Sequence, residues 1–167
     1  MGKASFINYE QTTRGIAKKR LKGTIWKWKD VLEKFKEIDA DPRLGPARRV
    51  VALVDEDTGE LMGTTPSNIV GPQLVKPGEH IEAHRHTFTA INIIMQGSGY
   101  TIVDGEKIEW ERGDTVTTPA WCYHEHYNTG TEDAIIYSIL DVPLMASQRT
   151  LIIEEPAGSE PKFVVRP

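Results

Sequence analysis

The five histidines of this chain fall in two short clusters, His80, His84 and His86 in one and His124 and His126 in the other. Each cluster holds a His-x-His pair. Residues i and i+2 of an extended strand point to the same face, so each pair throws two imidazoles to one side. Two such strands lying together converge neutral nitrogen donors on one point. Imidazole suits Zn, Cu, Fe and Ni, so the pattern describes a metal site. Glu82 shares the i, i+2 alternation with His84, and His80 lies on that face further out. Either could join the site, but the simpler reading makes Glu82 a barrel-rim residue and His80 a loop-edge histidine.

The elements that must position these residues are mostly strands. From Arg49 to Leu140 the sequence offers short runs rich in Val, Ile, Thr and Tyr, punctuated by Gly, Pro and Asp. The runs are Arg49–Val54, Ser67–Val75, His80–His86, Ala90–Gln96, Tyr100–Val103, Lys107–Trp110, Asp114–Thr118, Tyr123–Asn128 and Ala134–Leu140. Asp104-Gly105 between two of them is a two-residue hairpin signal. Many short strands at close spacing mean a β-sandwich or barrel. One helix is expected over residues 30–38, with Val31, Leu32, Phe35 and Ile38 on one face and Asp30 as N-cap. Trp26 and Trp28 alternate with lysines as a short strand would. Residues 1–24 are polar, basic and aperiodic, and read as an N-terminal arm. Residues 25–167 read as a single domain.

Composition narrows the partners. The formal net charge is −4, which argues against nucleic acid, although Lys18-Lys19-Arg20 is a local basic patch. No run approaches the length of a membrane span, and no apolar leader is seen at the N-terminus. The lone Cys122 cannot form an internal disulfide, which fits a reducing, cytoplasmic location.

Two stretches carry a family resemblance. Gly78, His84, His86 and Gly97 match the first cupin motif, and Gly113, Pro119, His124 and Asn128 match the second. The first-motif glutamate falls on Ala90, and the glycine before the third histidine is Trp121. Those departures, with His84-Arg85-His86-Thr87, Gly97-Ser98-Gly99-Tyr100-Thr101 and Leu140-Asp141-Val142-Pro143-Leu144, resemble gentisate 1,2-dioxygenase and its salicylate and hydroxynaphthoate relatives. The resemblance spans roughly residues 25–145 and corresponds to the metal-bearing domain of that branch.

The resemblance implies an all-β, single-domain cupin: a double-stranded β-helix, or jelly-roll barrel, with an N-terminal arm and one short helix. It implies Fe(II) held by His84, His86 and His124, with other divalent ions (Zn, Ni, Mn) as alternatives. The chemistry implied is cleavage of a small hydroxylated aromatic ring by O2, with the substrate chelating the metal. His126 then takes a catalytic hydrogen-bonding or acid–base role. Substrate contacts fall to Arg48, Gln73, Asn92 and Trp121. Asn92 stands where the branch carries an arginine, and Ser138 where it carries an aspartate. A homodimer or higher homo-oligomer is also implied. Two other classes stay open: a non-oxidative lyase, hydrolase or isomerase using the metal as Lewis acid, and a non-catalytic small-molecule-binding cupin.

Overall fold

The computed structural model describes residues 3–6, 8–11 and 21–164. Much of the expected arm, including Lys18-Lys19-Arg20, lies outside the described residues. Among the described residues from 21 onward, ten strands and two α-helices follow in order: α1 (Trp28–Asp39), β1 (Ile69–Val75), β2 (His80–His86), β3 (Ala90–Gln96), β4 (Ser98–Val103), β5 (Glu106–Glu111), β6 (Thr115–Thr118), β7 (His124–Asn128), β8 (Ala134–Leu140), α2 (Val142–Ser147), β9 (Ile152–Glu154) and β10 (Lys162–Phe163). One sheet has the order β1-β8-β3-β6 and the other β10-β9-β2-β7-β4-β5. Paired strands are antiparallel, and successive strands mostly change sheet. That is the jelly-roll arrangement expected from the sequence.

Inward and outward residues alternate as a two-sheet fold requires. On β7, His124, His126 and Asn128 are buried while Glu125 and Tyr127 are half-buried. On β3, Ala90, Asn92 and Ile94 point in, and Ile91 and Met95 are exposed. An apolar plug that includes Val75, Ile81, Ile94, Trp110, Val116 and Ile136 fills one end of the barrel. The same strands turn polar toward the other end: Ile94 gives way to Asn92 on β3, and Ile136 to Ser138 on β8. The polar end is where the histidines lie.

The turns use the residues the sequence offers. Asp104 and Gly105 join β4 to β5 with φ of 46° and 88°, the positive values a two-residue hairpin needs. The motif glycines Gly78, Gly97 and Gly113 sit at φ of 78°, 85° and 97°. At Gly97 a side chain would also collide with Ala134.

Several expectations are corrected. The helix begins at Trp28 rather than Asp30, and its N-cap is Lys27, without a side-chain cap. Asp30 instead sits in the first turn, where a carboxylate complements the helix dipole. Trp28 is therefore helical, and no strand forms over Trp26–Trp28. The run Arg49–Val54 makes only isolated bridges, Val50 to Gln73 and Leu53 to Val70. Its partner strand carries Pro72, whose carbonyl accepts from the Val51 N–H but which has no N–H to return. Helix α2 and strands β9 and β10 were not anticipated. Pro143 in the first turn of α2 suits a helix start.

Helix α1 packs on the outside of the barrel. Val31 and Phe35 meet Leu53, Leu74 and Ile135 in a second core. Buried Arg49 bonds to Glu79 and Asp39, tying the helix C-terminus to the loop before β2. Because this core is separate from the histidines, Phe35→Ala is expected to cost about 3–5 kcal/mol in urea unfolding while leaving metal affinity of the folded protein unchanged.

Candidate metal centre

The pairing of β2 with β7 sets His84 directly opposite His124, and His86 follows two residues along β2. The His84 and His124 rings lie 4.3 Å apart, and the His86 and His124 rings 4.7 Å. One ligating nitrogen from each of the three lies within 4.8 Å of the others. The chemistry of the set fits a metal. Nδ1 of His84 faces the Glu82 carbonyl at 2.8 Å, that of His86 the Phe88 carbonyl at 2.7 Å, and that of His124 the Cys122 carbonyl at 3.0 Å. A carbonyl can only accept, so each Nδ1 carries the proton and each Nε2 keeps its lone pair. Three oriented lone pairs and no carboxylate leave a bound divalent ion its full charge and open positions.

His80 and Glu82 do not join them. The β2–β7 register shifts between Ile81 and His84, a bulge that turns Ile81 inward alongside His84. The i, i+2 alternation read from the sequence therefore fails between positions 82 and 84. Glu82 is exposed, and His80 stacks on Tyr127 at 5.0 Å on the outer face. Ala90, in place of the motif glutamate, lines the cavity with a methyl group.

The histidines face a cavity of about 200 Å³. His126 lines it with the three ligating rings. The opposite sheet contributes Asn92, Ser138 and Thr118. Ser138 donates to the Asn92 Oδ1 at 2.7 Å, and the Asn92 Nδ2 and Thr118 Oγ1 are buried with no partner. Gln73 also reaches the wall, with its Nε2 donating to the Pro46 carbonyl at 3.1 Å. At the rim, Arg48 pairs with Glu155 at 2.9 Å, which holds its guanidinium above the ordinary pKa.

Trp121 is the exception among the expected substrate contacts. It stands at φ 65°, its N–H donates to the His86 carbonyl at 2.7 Å, and its ring covers the Arg85 guanidinium. It supports the β2 backbone from outside and does not line the cavity. Sequence reasoning missed Glu155 and Thr118. Glu155 comes from the segment after β9, where no motif flags it. Thr118 faces Ala90 across the sheet and could have been found from strand parity.

Burial and the neighbouring imidazoles push His86 and His126 down to about 3 and His124 to about 4. For all three, burial is the larger cause.

With this geometry in place, the class is a jelly-roll metal protein built on three histidines. A model of the cupin domain matches residues 73–140. The 5-nitrosalicylic acid 1,2-dioxygenase of Bradyrhizobium sp is 42% identical over 139 residues, covering 81% of this chain and 67% of that protein. Gentisate 1,2-dioxygenase of Ralstonia sp is 42% identical over 100 residues, 59% of this chain and 28% of that protein. The crystal structure of salicylate 1,2-dioxygenase from Pseudaminobacter salicylatoxidans superposes with a TM-score of 0.72 at 28% identity, covering 81% of this chain and 39% of that one. The chain thus spans about two thirds of one of these relatives and well under half of the other two. It belongs to the cupin family, in the branch of gentisate- and salicylate-type 1,2-dioxygenases.

Two outcomes are expected from this site. His84→Ala or His124→Ala should abolish metal retention, read by elemental analysis, while His126→Ala keeps the metal. The pH effect has a definite sign. The three lowered histidines stay neutral in the fold below the ordinary imidazole value of 6.5, whereas the unfolded chain takes up protons there. Stability of metal-free protein is present above about pH 6.5 and falls toward pH 4, by about 1.4 kcal/mol per pH unit for each such histidine. Urea midpoints measured across that window check it.

Proposed function

We propose that this chain carries Fe(II)-dependent cleavage of a small hydroxylated aromatic ring by O2. The carrying observation is a carboxylate-free trio of histidines opening on a cavity of single-ring size. Engineered cavities of about 150 Å³ accept benzene, so about 200 Å³ accommodates one substituted ring. His84, His86 and His124 hold the ion. An Fe(II) ion held there would attract a phenolate–carboxylate pair and would supply the redox chemistry of ring cleavage by O2. Relatives named for 5-nitrosalicylate, gentisate and 5-aminosalicylate act on single rings of that kind.

The chain's own side chains define how the ring is held. Arg48 lies at the rim, where it meets the substrate carboxylate in competition with Glu155. Gln73 and Asn92 form the wall opposite the histidines. The Arg and Asp of the branch pattern are replaced here by Asn92 and Ser138, a neutral pair joined by a hydrogen bond. A neutral amide donates one hydrogen bond without charge, so this wall favours an uncharged acceptor over a second anionic group. His126 supplies a hydrogen bond to the reacting ring.

The cytoplasm suits ferrous iron and the free Cys122. Among the described residues no helix is long and apolar enough to cross a membrane. A homodimer or higher homo-oligomer is supported by the exposed Ile91 and Met95 on the outer face of β3.

The test is anaerobic reconstitution with Fe(II), followed by oxygen uptake on salicylate, gentisate and 5-substituted salicylates. Uptake with both atoms of labelled dioxygen in the product is expected. An iron-loaded sample inert across the panel, or active only with Zn, Ni or Mn and without O2, overturns the reading. Asn92→Ala should weaken binding of rings with a neutral acceptor by about 5- to 10-fold, the loss of one buried hydrogen bond, read anaerobically by titration calorimetry.

A further inference from the structure

Four imidazoles line one cavity, yet they differ in what stands behind each ring. Behind His84, His86 and His124 is a backbone carbonyl. Behind His126 is a hydroxyl: Thr101 Oγ1 lies 2.8 Å from its Nδ1. A hydroxyl can donate or accept, so the contact alone does not fix the ring. A second bond does. The Trp110 indole N–H donates to the same Oγ1 at 3.0 Å. Indole N–H is donor only, so the oxygen spends acceptor capacity on it and still has its own proton to place. Thr101 is 1% exposed, which leaves no water to take that proton. Among the described residues, Nδ1 of His126 is the acceptor the structure provides for it.

We infer that Trp110 and Thr101 act as positioning residues that set the His126 tautomer. The indole donates to the hydroxyl, the hydroxyl donates to Nδ1, and the ring hydrogen is left on Nε2 at the cavity. His126 is thereby opposite in tautomer to its three neighbours. They present lone pairs and bind the ion, while His126 presents an N–H and is kept out of the ligand set. Its role toward substrate is hydrogen-bond donation to an oxygen on the ring, not abstraction of a proton from it. That last role rests on the ring-cleavage reading; the tautomer itself does not.

Gly99 belongs to the same device. It pairs with Trp110 across β4 and β5, and a Cβ there would stand 2.7 Å from the indole ring and would collide with the Tyr127 carbonyl. The bare backbone lets the indole lie flat enough to reach Thr101. Thr101 pairs with His126 across β4 and β7, and Gly99, two residues before it on β4, pairs with Trp110 on β5.

Proton–nitrogen correlation NMR on isotope-labelled, metal-free protein in mildly alkaline buffer reads the tautomers directly. The expected result is Nε2–H for His126 and Nδ1–H for His84, His86 and His124. Nδ1–H at His126 in the wild-type protein overturns the inference, whatever the enzyme turns over. In Fe(II)-loaded protein, Thr101→Val keeps the side-chain shape and removes the hydroxyl. It should lower kcat by about 100-fold with KM and iron content little changed, since a mis-set imidazole loses its catalytic hydrogen bond. Thr101→Ser should restore most of the rate. Equal losses in Val and Ser variants, or a loss that follows iron content, reject a tautomer role. Absence of turnover in the wild type strikes only the ring-cleavage reading, because the NMR result stands apart from it.

Discussion

The register between β2 and β7 is the constraint on which the site depends. His84 faces His124 across one antiparallel pair, and the bulge before His84 makes that meeting compatible with Ile81 remaining in the core. A one-residue slip in either strand would send its imidazoles to the outer face. The register is itself held at the far end of β7. There Asn128 donates to the Val75 and Glu132 carbonyls and accepts from the Gly130 N–H. The motif asparagine is thus a clamp on strand position, some distance from the chemistry it secures.

Burying His86, His124 and His126, with His84 half-buried beside them, is costly unless each ring is neutral and hydrogen-bonded. The fold meets this with fixed partners, three carbonyls and one hydroxyl, and the same partners decide which nitrogen faces inward. Stability and chemistry are therefore not separable here. The carbonyls that satisfy the buried rings also make them ligands. Acid removes that arrangement, because protonated imidazole has no lone pair to offer and no comfortable place in the barrel.

Much of this was legible in the residues. The two His-x-His pairs, the Asp104-Gly105 turn and the glycines at 78, 97 and 113 each encode a local geometry that survives packing. They indicated a β-sandwich or barrel with a histidine metal site, and the cupin resemblance narrowed these to the jelly roll and to His84, His86 and His124. What failed depended on long-range or backbone detail. Glu82 was placed on the wrong face because a bulge breaks parity without any sequence mark. Arg49–Val54 was read as a strand because the cost of Pro72 falls on the partner. Trp121 was assigned to substrate, but its positive φ turns the ring onto Arg85. Glu155 reaches Arg48 across 107 residues of sequence, a pairing no local pattern reports.

The cavity also has an internal charge logic. Its metal-facing wall is neutral imidazole, and the opposite wall is the Asn92–Ser138 pair with the unpartnered Thr118 hydroxyl. Among the described residues, Arg48 is the one cationic side chain lining the cavity, and it is already matched by Glu155. An ion of charge 2+ is therefore the sole uncompensated charge the cavity would hold. A chelating dianion would neutralise it, and among the described residues no free cationic side chain lines the cavity to stabilise a further negative group. The ligand trio, His126 and both walls come from a single barrel. Each of these groups is supplied by this chain, which spans 39% of the salicylate dioxygenase it superposes on.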